Sequence, residues 1–585
     1  MKVADNSSVT KEFNMKKKIL ILMLVLVLSM AMFTLFACSN LTDLANTIVN
    51  NTTQVEGTTN TGSSEAAVTD DSISATEVSQ DTAFEITTED GTYSQENNIY
   101  TITTAGTYSL TGYLNGQIVV EAGEDDAVVI ELNGVTIEYN QDSPIKILTA
   151  DSVDISAQKD TENVIKDTRS AKTVDTDTLG EGAIYAKTDL TLKGKGTLVI
   201  EASYNNGIHT TKDLKIKNLS LKVTAYNNAI KGNDSITISS GSVVAISTNG
   251  DGLKTENTDA NKKGVTRGDI TITGTASVTV YAAGDGIQSA HNFTMSEDTD
   301  GNSPYVTIYT GSYSGYTASS ASTTSYKGVK VENILTISGG TIDIKSYDDG
   351  LHANYGTTFE SGETGQGTIN ILGGSVKMVV YSPTTSTAGG RMGPGGPSRP
   401  GAWGGQQSVS GADAIHADYI LNIAGGIVEI DSSYEGLEAN IINISGGTTY
   451  VTANDDGVNA KSGIATPQVN ITGGYLDITV SPNGDTDGID SNGTYTQTSG
   501  VVITRGPNSE MAAALDADGS KTITGGTLII LGYGNVSRGT GVNTYSLSLN
   551  SSGSHSVTID GTTYTFTNAY SYGRTTIYSS VSVSA

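Results

Sequence analysis

Lys327-Gly328-Val329-Lys330-Val331-Glu332-Asn333-Ile334-Leu335-Thr336-Ile337-Ser338-Gly339-Gly340-Thr341-Ile342-Asp343-Ile344-Lys345-Ser346-Tyr347-Asp348-Asp349-Gly350-Leu351-His352-Ala353 is the stretch that decides the fold. Ile334 to Ile337 and Thr341 to Ile344 alternate with period two, the mark of half-buried strands. A Gly-Gly turn separates them, and an Asp-Gly phrase ends the unit 22 residues after the preceding Gly328.

The same phrase, Gly or Ala, then an aliphatic, then a polar residue, recurs outward from this stretch. It lies at Asn206-Gly207-Ile208-His209, Asn228-Ala229-Ile230-Lys231, Asp251-Gly252-Leu253-Lys254 and Asp285-Gly286-Ile287-Gln288. It returns at Asp413-Ala414-Ile415-His416, Glu435-Gly436-Leu437-Glu438, Asp456-Gly457-Val458-Asn459 and Asp487-Gly488-Ile489-Asp490. Unbroken spacings are 22, 23, 22, 22 and 21 residues, and insertions lengthen the others. Two packed helices need a longer period; three short strands and three turns fit this one. The expected fold is therefore all-β, a parallel β-helix of three short strands per coil. The aliphatic after each Gly should point inward and stack on its equivalents.

Composition agrees. The chain has 585 residues, with 68 Gly against 9 Pro and a single Trp. Ser, Thr, Asn, Val and Ile favour strands and tight turns over helices. The formal charge is −29. Loss of the first 37 residues removes five Lys and two acids and brings it to about −32. No basic groove can be assembled to neutralise phosphates, so nucleic acid is excluded as a partner.

Lys16-Lys17-Lys18 precede an apolar run from Ile19 to Phe36, the charged and hydrophobic regions of a secretory signal, and Met15 fits as its start. The run ends in Leu35-Phe36-Ala37-Cys38, the pattern of a bacterial lipobox, and Cys38 is the chain's one cysteine. A disulfide within the chain is thereby excluded. The expected organisation is a lipoprotein signal peptide over 1–37 and a flexible Ser/Thr/Asn-rich tether over 38–82 lipidated at Cys38. A β-helical carbohydrate-binding domain follows over 83–550, and a C-terminal β cap over 551–585. Residues 389–405, with Arg391, Pro394, Pro397, Arg399, Pro400 and Trp403, form a Gly/Pro-rich insertion, either a solvated spacer or a flap. The expected location is extracellular, anchored by lipid to the outer face of the bacterial cytoplasmic membrane, with a monomeric chain.

Stacked coils turn periodicity into ladders. The residue before the Gly is acidic at Asp251, Asp285, Asp349, Asp413, Glu435, Asp456 and Asp487. Carboxylates stacked roughly 5 Å apart repel unless a cation neutralises them. Hard divalent ions with oxygen ligands, Ca²⁺ above all, answer that need. The candidate metal ligands are Asp349, Asp413, Glu435, Glu438, Asp455, Asp456, Asn459, Asp485, Asp487 and Asp490. The competing explanation is that Asp and Asn simply favour turns. Tyr204, Tyr226, Tyr347 and Tyr434 fall two or three residues before the repeat Gly, where a row of rings can stack sugars or pack the turns. Lys254, Lys330, His352 and His416 on the outward ladder can meet uronate carboxylates or offset the acids. No Ser-His-Asp arrangement or phosphate loop is present.

The tether, the entry segment Gly106-Thr107-Tyr108-Ser109-Leu110-Thr111-Gly112, the later Leu132-Asn133-Gly134-Val135, the Asp-Gly coils and the insertion together resemble one family. It is the clostridial carbohydrate-binding β-helix family, formerly a domain of unknown function, and the resemblance covers about residues 83–550. It implies a right-handed helix similar to family-nine polysaccharide lyases, and binding of calcium and of cellulose-like or acidic pectic polysaccharide. Those lyases carry Asp-Asp-x-x-Asp for calcium, an Asp one coil earlier, and a Lys base. Here Asp455-Asp456-Gly457-Val458-Asn459, with Glu435 a coil earlier, ends in Asn, and Asp348-Asp349-Gly350-Leu351-His352 ends in His. A Ca-dependent polyuronate lyase would need Lys330 or Lys461 as its base. The readings carried forward are polysaccharide binder, such a lyase, and structural adhesin.

Overall fold

In the computed structural model the described residues are 72–173, 179–316, 325–381 and 411–585. The signal peptide, Cys38 and the 389–405 insertion lie outside them. The described chain is almost entirely β, with one short 3-10 turn at Gly311–Ser314.

Three parallel ladders build the body, and each coil contributes one strand to each. The first runs through Ile145–Thr149, Gly182–Ala186, Asn206–Thr210, Ile230–Gly232, Leu253–Lys254, Ile287–Ser289, Val329–Val331 and Leu351–Ala353. It continues through the front of Ile415–Ile423 and of Leu437–Ile444, then Val458–Ala460 and Ile489–Ser491. The aliphatic after each repeat Gly is in register throughout: Ile208, Ile230, Leu253, Ile287, Val329, Leu351, Ile415, Leu437, Val458 and Ile489 are fully buried. Parallel strands need a crossover between partners, and here the other two strands of the coil provide it.

The repeat glycines owe their place to crowding. A Cβ on Gly457 would lie 2.2 Å from Ile478 Cγ2 and 2.7 Å from the Gly488 carbonyl oxygen. The Gly-Gly turns work differently: Gly340 has φ +84°, a left-handed corner that side chains resist.

On the second ladder the outward position between two core aliphatics is Asn370, Asn422, Asn443 and Asn470, in register. Each amide donates to the previous coil: Asn422 to Asn370 at 2.8 Å, Asn443 to Asn422 at 2.9 Å and Asn470 to Asn443 at 3.0 Å. The third ladder carries apolar residues on its outer face, and each end covers them. Ile73 packs on Val244, Ile246 and Tyr281. The Val78 N–H donates to Thr136 Oγ1 at 2.8 Å, and Glu77 pairs with Lys166 at 2.5 Å. Residues 72–82, assigned from sequence to the tether, are thus docked, because outward Val and Ile leave apolar surface to cover. At the other end Ile503 and Ile529 are covered by Leu549 and by Val557, Ile559 and Phe566 of the C-terminal sheet. Thr575–Ser579 pairs antiparallel with Thr527–Leu531 and closes that edge.

Candidate functional site

The first ladder brings the turn acids and the outward residues three positions later into two adjacent rows. The outward row is in register from His209 through Lys231, Lys254, Gln288, Lys330, His352, His416, Glu438 and Asn459 to Asp490.

The turn carboxylates serve two tasks, and Asp251 and Asp349 perform both. One oxygen accepts the backbone N–H of the equivalent residue in the next coil: Asp285 N–H to Asp251, Lys327 N–H to Asp285, Asp413 N–H to Asp349 and Asp487 N–H to Asp456. This is the turn-forming role that short acidic side chains fill. The other oxygen meets the outward row of its own coil. Asp251 pairs with Lys254 at 2.9 Å, Asp349 with His352 at 2.8 Å and Asp413 with His416 at 2.8 Å. Lys327, standing where an acid would, also reaches Asp349 at 2.9 Å.

From Glu435 onward the pattern changes, because the outward residues become Glu438, Asn459 and Asp490. Asn459 donates to Glu435 at 2.9 Å, and Lys461 holds Glu438 at 2.5 Å. Asp456, Asp487 and Asp490 each present an oxygen within 4.8 Å of the others. Burial, then the charges of Asp455, Asp487 and Asp490, push the Asp456 carboxyl up to about 8. Burial, then Asp490, Asp516 and Asp485, push Asp487 up to about 7. Glu435, buried beside Asp413 and Glu438, is raised to about 10. Acid stands against acid, a donor set of oxygens suited to a hard cation. Asp455 belongs to the same edge and bonds Tyr434, and Asp485 adds charge beside it.

The four tyrosines do not form one platform. Tyr204 is buried beneath the Arg169 guanidinium, 3.8 Å from its ring centre. Tyr347 stacks on Tyr381 at 4.2 Å. A Cβ on Gly411 would strike the Tyr434 ring, so that ring is packed against backbone. Tyr226 lines an open depression of about 400 Å³ with Glu201, Thr224 and Thr248. Lys330 lies 3.8 Å from Glu332, while Lys461 touches both Glu438 and His416, so neither candidate base stands apart from an acid.

Sequence reasoning missed a buried knot at His291. Its Nδ1 meets Asp269 at 2.7 Å and its Nε2 meets Glu363 at 3.1 Å, while Asn333 donates to Glu363 at 2.9 Å. Burial opposes the ring's charge, but the two carboxylates outweigh it and raise its pKa. The knot pins the hairpin of Tyr355–Thr358 and Thr364–Gln366 to coils encoded some 70 residues earlier, as the 72-residue separation of His291 and Glu363 records. No periodic phrase includes His291, so spacing gave no signal.

Comparison with known proteins gives three findings. Residues 96–370, a little under half of the chain, match a family model described as carbohydrate-binding domain-containing protein. A carbohydrate-binding domain-containing protein of Acetivibrio thermocellus is 37% identical over 126 residues, which are 21% of this chain and 44% of that relative. This chain therefore spans less than half the relative's length. A solved structure of a polysaccharide lyase-like protein from C. thermocellum, a gadolinium derivative, is 32% identical with a TM-score of 0.36, covering 43% of this chain and 90% of that one.

Proposed function

We propose that this chain is a cell-surface lipoprotein that binds plant-type polysaccharide, cellulose-like or pectic, through a calcium-bearing face of a right-handed parallel β-helix. The observation that carries the reading is the Asp456, Asp487 and Asp490 cluster, on the same ladder as the Lys254, Lys330, His352 and His416 row. Calcium there would be held by these three carboxylates, with Asp455 and Asp485 adding charge at the same edge. A bound cation would take up the acid repulsion and offer open positions to uronate carboxylates or sugar hydroxyls. The match of residues 96–370 to a carbohydrate-binding family supports the glycan partner. The handedness follows the general rule that crossovers between parallel strands are right-handed. The apolar run ending at Cys38 supports export and the lipid anchor.

A lyase would need a base beside the ion, and Lys461 is engaged by Glu438 and His416. The binder reading therefore stands first. The test is retention of the full chain on cellulose and on insoluble polygalacturonate, with calcium and with chelator. Calcium-dependent retention without release of ultraviolet-absorbing unsaturated products supports it. Absence of retention in both conditions overturns it in favour of a structural adhesin, and unsaturated products overturn it in favour of a lyase.

A further inference from the structure

Two coils before the all-carboxylate cluster, the ladders assemble a site of different chemistry. His352 and His416 are in register on adjacent coils and their rings stack at 4.6 Å. Ligand-capable atoms of Asp349, His352 and His416 lie within 4.8 Å of one another, and Asp413, His416 and Glu438 form a second triple that shares His416. Asp349, His352, Asp413 and Glu438 are buried, with His352 only 9% exposed.

Hydrogen bonding sets the ring orientation. Asn354 donates its amide to Glu332 at 2.9 Å, which turns its oxygen toward His352 Nε2 at 2.7 Å. Nε2 must therefore carry the proton. In the neutral ring the Nδ1 lone pair then faces Asp349 Oδ2 at 2.8 Å, acceptor against acceptor. Lys327 Nζ already donates to the same Oδ2 at 2.9 Å, while the Nδ1 contact itself calls for a second proton or a metal ion. His416 differs: its Nε2 lies beside both Asp418 at 3.2 Å and the Lys461 ammonium at 3.0 Å, and its Nδ1 meets Asp413 at 2.8 Å and Glu438 at 3.0 Å. A carboxylate or amide holding the outer nitrogen while the inner one faces a ligand position is the arrangement that orients metal-binding histidines.

We propose that Asp349, His352 and His416 form a three-residue site for a borderline first-row divalent ion of the Zn²⁺ class, separate from the calcium site and independent of it. Two imidazoles favour such ions over calcium, which takes oxygen. Asp349 is paired with Lys327 at 2.9 Å and Lys461 lies 3.0 Å from His416 Nε2, so an ion entering here must displace both ammonium groups. Tetrahedral zinc with ligands at about 2.0–2.1 Å holds them roughly 3.3 Å apart. The 2.8 Å contact between His352 and Asp349 must then open by about half an ångström as the ion enters.

The full chain, stripped with chelator, is titrated with Zn²⁺ by calorimetry and with Co²⁺ by visible absorption. One equivalent of zinc and an intense tetrahedral cobalt band are expected, and millimolar calcium should displace neither. His352→Gln and His416→Gln should each weaken zinc at least about tenfold and bleach the cobalt band. Asp487→Asn should leave both unchanged, which separates this site from the calcium cluster. The assignment is overturned by absence of zinc binding, by a weak octahedral cobalt spectrum, by displacement with calcium, or by affinity unmoved in both His variants. The cobalt spectrum of the unsubstituted chain decides the matter even where a variant fails to fold.

Discussion

Asp456 accepts the backbone N–H of Asp487, 31 residues later, at 2.7 Å, although both are carboxylates crowded into one cluster. One side chain therefore serves the turn and the proposed ion together, and substitutions can separate the two. Asn at 456 keeps an oxygen for the Asp487 N–H, whereas Ala leaves that donor without its partner. Asp456→Ala should cost about 1–3 kcal/mol of stability. Asp456→Asn should cost much less and still weaken calcium-dependent glycan retention. Denaturant unfolding beside the pull-down reads both, and equal loss of stability in the two variants would refute the division of labour.

The cluster also fixes a direction of pH dependence in the absence of metal. Asp487 is raised to about 7 and Asp456 to about 8 by burial and by neighbouring acids, against ordinary values near 4. Between those limits the folded state binds more protons than the unfolded one, so stability falls as pH rises. The melting temperature in chelator should decline from pH 5 upward, steepest between about 5 and 7, and level off above about 8 as both carboxyls ionise in the folded state. Calcium should flatten the decline by supplying the positive charge that protons supply at lower pH. A metal-free melting temperature that rises across this window would contradict the cluster's electrostatics.

The asparagine ladder should be felt in stability alone. Asn443 donates to Asn422 at 2.9 Å and accepts from Asn470 at 3.0 Å, so its loss breaks two bonds in mid-ladder. Asn443→Ala should destabilise by about 1–2 kcal/mol without changing metal or glycan binding. Unfolding of this variant beside Asn370→Ala, which removes only an acceptor, checks the asymmetry.

Much of this was legible in the sequence because parallel stacking preserves spacing. The Asp-Gly phrase predicted that Ile208 through Ile489 would share one buried row and His209 through Asp490 one outward row, and the strand register has both. The Asn ladder could have been read too, from Asn between aliphatics just before each Gly-Gly turn. Other features left no periodic trace. Asp favours turns whether or not it holds metal, and only coordinates tell that Asp349 and Asp413 face imidazoles while Asp456 faces acids. Tyr spacing looked like a platform, but Arg169, Gly411 and Tyr381 claim three of the four rings through contacts that no repeat encodes. Docking of Ile73 likewise depends on apolar residues some 170 positions away, as its packing on Val244 requires.

The repeat glycine gives the most direct test of the stacked coils. At Gly457 an added Cβ meets a core side chain, Ile478, and a backbone carbonyl of the next coil, neither of which can withdraw without spreading the ladder. Gly457→Ala should therefore cost about 1–3 kcal/mol or more, the range of core overpacking. Gly541 is the control: a Cβ there meets nothing within 4 Å, and the penalty comes from its φ of +88° alone. Gly541→Ala should cost about 1 kcal/mol and leave metal binding intact. Gly457→Ala should weaken calcium as well, because it lies between Asp456 and Val458 on the strand that sets the cluster's register. Unfolding and calcium titration of the two variants side by side check this. Equal, small effects would mean that the coils are not packed as closely as their geometry requires.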